Sequence, residues 1–286
     1  MTPPLDADWQ RAWPAPAKIN LFLHVVGRRA DGYHLLQTVF RFIDCCDWLR
    51  FESRHDGRIA LATPLPGVPE ERDLTVRAAR ALQQAAGCSQ GATLHLEKHL
   101  PMGGGLGGGS SDAATVLVAL NQLWGCGLSR PELQSIGLAL GADVPVFIHG
   151  RSTFAEGVGE RFTDVAVPEA WYLVLVPPVA VPTPAIFTAP DLRRDTPSIA
   201  PADWHPGFGG NDLEPVACRL YPEVVRHLAW LRRLECASRV AMSGSGACCF
   251  AEFADEAEAR KAAAALPAEM TGFVAQGLDR HPLAEP

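Results

Sequence analysis

Residues 101–111 read PMGGGLGGGSS, and six of the seven positions from Gly103 to Gly109 are glycine. Such a backbone takes φ > 0 freely and can approach a ligand closely. The stretch runs straight into Ser110-Ser111-Asp112-Ala113-Ala114-Thr115-Val116-Leu117. Two hydroxyl residues that favour helix N-caps there precede an apolar run of helical spacing. A glycine loop feeding a helix start offers unpaired N–H groups at the positive end of a dipole, which suits phosphate. A flexible linker is the plainer reading of so much glycine, but linkers carry polar residues and do not open a buried helix. Phosphate binding is the stronger expectation.

The loop is not self-sufficient. A Walker-type loop closes on Gly-Lys-Ser/Thr so that a lysine reaches the terminal phosphates, whereas Gly109 is followed by Ser110-Ser111. A dinucleotide fingerprint needs an acidic residue about 20 positions on, at the end of a second strand, and none stands there. The cation must come from elsewhere, and in a chain where arginine supplies most of the positive charge the candidates are Lys18 and Lys98. Asp143 precedes Val144-Pro145 and, read alone, is a turn residue. Ser243-Gly244-Ser245-Gly246 is a second glycine turn whose commoner meaning is a tight β-turn.

These residues need elements to hold them. From Ala17 to Val26, alternation predicts a strand with Ile19, Leu21, Leu23 and Val25 on one face and Lys18, Asn20, Phe22 and His24 on the other. A turn over Gly27–Gly32 leads through Tyr33-His34 to a second apolar stretch, Leu35–Phe42, and strand-like pieces continue to about Leu61. Asp73–Ala86 has helical spacing, and Leu94 and Leu96 sit in a short strand before Lys98. The helix opened by the loop should reach about Trp124; Ser129-Arg130-Pro131-Glu132 is a capping box that starts another, ending near Leu140. Gly141–Phe147 then reads as a helix break entering a strand. After about Gly159 the pattern changes. Trp171–Val176 is a buried strand, and Pro177–Gly210 is a long Pro- and Gly-rich connection of the kind that is usually functional or mobile. Two helical pieces divided near Pro222, two strands around Ser243–Gly246, an Ala-rich helix over Asp255–Leu266 and a strand near Phe273–Gln276 complete an α+β chain. Two domains are expected, 1–160 and 161–286. The Pro-rich stretch Met1–Pro14 reads as a loose tail.

Composition restricts the class. The 286 residues are 48% hydrophobic and 20% charged, with a net charge of −7, which argues against a general nucleic-acid or acidic-membrane surface. The eight cysteines show no metal-ligand spacing and no short secreted framework. With no secretory signal and no long apolar run, a reduced cytoplasmic protein is expected.

Three separated blocks, Pro16-Ala17-Lys18-Ile19-Asn20-Leu21, the loop from Pro101 to Ala114, and Ser243-Gly244-Ser245-Gly246-Ala247, resemble the motifs of the GHMP kinases. Asp31-Gly32-Tyr33-His34, the run Gly141–Phe147 and Asn211-Asp212-Leu213-Glu214-Pro215 narrow the resemblance to the branch acting on a cytidine-diphospho sugar alcohol. The likeness covers nearly the whole chain after the tail. It implies a two-domain fold with the active site in the interdomain cleft, ATP with Mg²⁺ as donor, and cytidine-diphospho methylerythritol as the small-molecule acceptor, with no nucleic acid or membrane partner.

The same resemblance implies roles. Pro101, Met102, Gly103, Gly104, Gly105, Leu106, Gly107, Gly108, Gly109, Ser110 and Ser111 would hold ATP, with Mg²⁺ near Ser110 or Ser111 and both serines doubling as helix caps. Asp143 would take the base role that phosphoryl transfer to an alcohol requires. Lys18 would stabilise charge on the acceptor oxygen. Tyr33 and Phe187 would stack on cytosine, His34 would meet its polar edge, and Asn20, Thr183 and Lys98 would contact the substrate. Asp112 is expected to be structural, in keeping with the helix dipole. Where relatives often place Asn near the adenine, this chain has Asp73, which as a carboxylate accepts but does not donate. The rivals are another GHMP kinase, such as one acting on homoserine or phosphomevalonate, and a nucleotide-binding module without catalysis.

Overall fold

A computed structural model describes residues 9–284. The chain opens on a long antiparallel hairpin, β1 (Trp13–Arg28) and β2 (His34–Arg54), joined by a turn in which Gly32 takes φ +92°. The expected tail is therefore shorter than Met1–Pro14: Trp13 is fully buried and packs edge-on against Phe51, and residues 1–8 lie outside the described residues. Along β1, Ile19, Leu21, Leu23 and Val25 are buried as the alternation predicts, but Lys18 and Asn20 on the opposite face are only 2% exposed.

The remaining strands are β3 (Ile59–Leu61), β4 (Gly91–Glu97), β5 (Thr153–Gly157), β6 (Arg161–Asp164), β7 (Trp171–Leu175), β8 (Arg239–Met242), β9 (Cys249–Phe253) and β10 (Gly272–Leu278). They join β1 and β2 in one mixed sheet with the central order β3-β4-β2-β10-β7-β9-β8; β1 and β5 also pair with β2, and β6 pairs with β5. Only β3 and β4 run parallel among these pairs. The last strand, β10, returns to β2 through Gly277↔Ile43 and Leu278↔Phe42, so both halves of the chain share a sheet.

Helices α1 (Leu74–Ala86), α2 (Gly108–Leu123), α3 (Arg130–Leu140) and α4 (Val144–His149) pack over the N-terminal strands, where Val76, Leu82, Val116, Leu120 and Ile148 meet Phe42, Leu49 and Leu94. Helices α6 (Glu214–Leu220), α7 (Pro222–Leu231) and α8 (Glu256–Ala264) cover the C-terminal strands through Leu213, Leu228 and Ala259. A short α5 (Thr183–Phe187) lies inside the long connection. Among the described residues no helix is long and apolar enough to cross a membrane.

Two expectations need correction. Gly141–Phe147 does not enter a strand: Val144–His149 is a helix, with Pro145 in its first turn and Gly150 at φ +77° ending it. Val144 to Ile148 are all buried, so no face is polar and the periodicity that separates helix from strand is absent. The glycine-loop helix also begins earlier than its hydroxyl residues suggest. Gly107, at φ +74°, is the N-cap, so Ser110 and Ser111 are helical residues and not caps.

Candidate active site

The glycine loop follows β4 and packs against β1 at Lys18. Lys18 N–H donates to Leu106 O at 2.9 Å, Cys248 N–H donates to Gly104 O at 3.0 Å, and Ser243 Oγ donates to Gly105 O at 2.9 Å. The loop is thus clamped between β1 and the Ser243–Gly246 turn. A Cβ at Gly105, where φ is +77°, would fall 2.1 Å from Ser243 O; one at Gly107 would fall 2.9 Å from the Phe147 ring and 3.1 Å from the Lys18 side chain. Only glycine fits at either position.

Lys18 Nζ lies 3.3 Å from Asp143 Oδ2, donates to Asn20 Oδ1 at 2.7 Å, and reaches Gly105 O at 3.2 Å. Its side chain is 3% exposed against 37% for Asp143, so a buried ammonium backs a carboxylate that faces open space. Asn20 is fixed in turn, its Nδ2 donating to Thr38 Oγ1 at 2.9 Å. The strand β1 positions Lys18 and Asn20, and the start of α4 positions Asp143.

A cavity of about 1030 Å³ opens over this pair. Lys18, Asn20, Tyr33, His34, Lys98, the loop from Pro101 to Ser110, Asp143, Thr183 and Phe187 all line it. Ser111 does not. It is fully buried within α2, its Oγ without a hydrogen-bond partner, so its side chain faces the core where a nucleotide contact was expected. The cause is the early helix start: with Gly107 as N-cap, Ser111 has turned to the apolar side.

Lys98 is neither a free surface lysine nor free to meet a ligand unaided. Its Nζ is held by Asp47 and by Asp112, the latter at 2.9 Å. Burial alone would lower the ammonium, but the two carboxylates hold it above its ordinary value. Asp112, in the first turn of α2, is 2% exposed, and burial pushes its carboxyl up to about 7 while Lys98 opposes the rise and Asp47 adds to it. Asp47 also accepts from the backbone of His99 at 2.6 Å and Leu100 at 2.8 Å, so the cluster anchors the chain as it enters the loop. Asp73 caps α1, its Oδ1 accepting from Thr75 N–H at 2.8 Å.

At the other end of the cavity Tyr33 is 62% exposed, and the His34 and Phe187 rings stand 5.0 Å apart with planes inclined by 35°. Burial first, then the charges of Arg194 and Arg28, lower the His34 pKa. Thr183 Oγ1 lies 2.8 Å from Ser245 Oγ, tying α5 to the second glycine turn. The block Asn211–Pro215 does not offer its polar groups to the cavity. Asn211 Nδ2 donates to Met242 O and Gly244 O, Asp212 Oδ2 accepts from Val25 N–H and Thr196 Oγ1, and Glu214 Oε2 accepts from Met242 N–H. Sequence reasoning missed Asp47, Thr38 and Arg194, which act through partners far along the chain and leave no local pattern.

The GHMP kinases N terminal domain model matches residues 73–151, and the GHMP kinases C terminal model matches residues 200–272. The chain is 65% identical over 273 residues to the 4-diphosphocytidyl-2-C-methyl-D-erythritol kinase of Dechloromonas aromatica (strain RCB), covering 96% of this chain and 99% of the relative. A crystal structure of a 4-(cytidine 5'-diphospho)-2C-methyl-D-erythritol kinase superposes with TM-score 0.80 at 37% identity, covering 93% of this chain and 99% of that one. A homoserine kinase from Cytophaga hutchinsonii superposes with TM-score 0.68 at 16% identity over 94% of each chain, a likeness of fold alone.

Proposed function

The chain belongs to the GHMP kinases, and within them to the 4-diphosphocytidyl-2-C-methyl-D-erythritol kinases, and from that premise we infer that it transfers the γ-phosphoryl group of ATP to the 2-hydroxyl of 4-diphosphocytidyl-2-C-methyl-D-erythritol in the non-mevalonate isoprenoid precursor pathway. The observation that carries the reading is one cavity holding the glycine loop, the Lys18–Asp143 pair and the His34–Phe187 ring pair together. A homoserine or mevalonate-phosphate acceptor has no base to place against those rings.

Phosphoryl transfer asks little covalent chemistry of a protein and much positioning. The backbone N–H groups from Gly103 to Gly109 and the start of α2 hold the triphosphate. Asp143 receives the acceptor hydroxyl and orients or removes its proton, while Lys18 lies close enough to stabilise charge as it gathers on that oxygen. Asn20 and Thr183 take polar parts of the acceptor, and Tyr33, Phe187 and His34 take its base. Lys98, held by Asp47 and Asp112, contributes to the site chiefly by fixing the loop.

Mg²⁺ shields the phosphate charge. Its usual ligands are one or two protein oxygens plus phosphates and water, and the Ser110 hydroxyl, on the cavity wall beside the glycine loop, would fit that need. We propose two lobes, 1–160 carrying the loop and the Lys18–Asp143 pair, and 161–286 carrying Thr183, Phe187 and the second glycine turn.

An acceptor panel read by ADP release tests the function. Acceptor-dependent turnover is expected with the cytidyl substrate and not with homoserine or mevalonate phosphate; the reverse result overturns the reading. Tight ATP binding without turnover on any acceptor would leave a binding module.

A further inference from the structure

Arg194 belongs to no recognisable motif and sits in the long connection after α5. The nearby carboxylate of Asp191 is held by Arg219 and not by Arg194. Its guanidinium is spent otherwise. Nη2 donates to Phe187 O at 3.0 Å and Ala189 O at 2.7 Å, and Nη1 donates to Leu192 O at 2.9 Å. Nε donates to Nε2 of His34 at 3.1 Å. The first three bonds shape the turn that presents Phe187. The fourth crosses to the start of β2.

That fourth bond fixes a proton. A guanidinium has only donors and keeps its charge, so Nε2 of His34 must accept. The imidazole is therefore neutral and carries its hydrogen on Nδ1. The Phe187 ring at 5.0 Å limits its rotation. The charged groups near His34 agree in sign: Arg194 and Arg28 both disfavour imidazolium, and the carboxylate of the adjoining turn, Asp31, is taken by Arg29 at 2.7 Å. From α5 the facing residue is the uncharged Phe187.

We propose that Arg194 is a positioning residue for base selection: it locks His34 as an Nδ1–H donor on the cavity wall, so that the site accepts a pyrimidine offering acceptors on that edge and rejects one offering a donor. Cytosine presents unprotonated N3 and O2. Uracil carries hydrogen on N3 and presents a donor to a donor. The inference rests on the functional reading above in placing a pyrimidine beside Phe187; the proton assignment on His34 does not.

Two measurements test it. Nitrogen-15 NMR of the whole protein reads the His34 tautomer directly, with the neutral Nδ1–H form expected at pH 7 and above. A His34 that carries its hydrogen on Nε2, or is imidazolium at pH 7, overturns the proposal whatever any variant does. For Arg194→Met, the preference in kcat/KM for the cytidyl acceptor over its uridyl analogue is expected to fall about tenfold or more, since an enforced donor–acceptor mismatch is what rejects the wrong base. The KM for ATP should stay as in the wild type, and the acid side of the kcat/KM profile should move to higher pH, because one of the two charges that disfavour imidazolium is gone while burial and Arg28 remain. An unaltered preference and pH profile in a variant with wild-type ATP KM overturns the proposal. If wild-type protein does not phosphorylate the cytidyl acceptor, the functional reading fails instead, and the NMR result still decides the tautomer.

Discussion

Lys18 is the residue whose chemistry and structural role separate most cleanly. Its ammonium is buried, 3.3 Å from Asp143, while the carbonyls of the nucleotide loop are held mainly by hydrogen bonds from Lys18 N–H, Cys248 N–H and the Ser243 hydroxyl. Methionine fills similar space without the charge. Lys18→Met should therefore lower kcat by a factor of about 10²–10³, the usual cost of one electrostatic contact to the transition state, and leave the ATP Kd close to wild type by calorimetry. Unchanged turnover would remove Lys18 from the mechanism. Asp112 supports a second prediction with the sign set by linkage. Its carboxyl ionises near about 3.9 unfolded but is pushed up to about 7 when folded, mainly by burial. Between those values the folded state holds the extra proton, so stability falls as pH rises through the window and stays lowered above it. Asp112→Asn keeps an acceptor for Lys98 and removes that loss. The variant should melt above wild type at pH 8 by a margin that shrinks at pH 5, with about 2–4 °C for each kcal/mol recovered. A margin equal at both pH values would exclude Asp112 as the cause.

At the scale of elements, the site depends on two glycine turns pressed together. Gly105 has φ +77° and its missing Cβ would lie 2.1 Å from Ser243 O, whereas Gly103 has φ +68° with nothing within 4 Å of a Cβ. Alanine at either position meets a left-handed backbone cost of about 1–2 kcal/mol. Only Gly105→Ala must also part the turns, so it should lower Tm further than Gly103→Ala and weaken ATP binding, as read by thermal denaturation and calorimetry; equal effects would mean that the turns do not hold each other. Much of this level is legible in the sequence, because strands β1, β4 and β7 and the helix after the loop carry clear alternation, caps or glycine punctuation. What is not legible has physical causes. Val144–Ile148 is buried on every side and so has no polar face to give its period. The helix start at Gly107 is set by the clamp against β1 and the second turn, not by the serines that follow. Lys18, Lys98 and Asp143 can be nominated from residue type and resemblance, but the Lys98–Asp47 and Arg194–His34 contacts span 51 and 160 positions, and no local spacing encodes them.

The whole molecule is held as one sheet, and that governs how its proposed lobes behave. β10 lies between β2 and β7, pairing with Ile43 and Phe42 on one side and with the whole of β7 on the other. Arg41, on β2, is 1% exposed and depends on the C-terminal half for its polar partners: Val167 O at 3.4 Å, Pro168 O at 3.2 Å, and the Asp279 carboxylate. A chain cut after residue 160 keeps the glycine loop, Lys18 and Asp143 but loses all three. The cut also removes Gly277, which packs against the guanidinium, so Arg41 passes from a paired interior position to a bared sheet face and the hydrogen bonds that tie β2 to the C-terminal half are lost. The open β2 edge and the bared faces of Ile43 and Phe42 add exposed apolar surface. The intact protein should accordingly unfold in a single calorimetric transition, and a fragment of residues 1–160 should bind a hydrophobic dye and melt without a cooperative transition. A fragment that melts sharply, or two resolved transitions in the intact chain, would show that the lobes are independent and that β10 only links them.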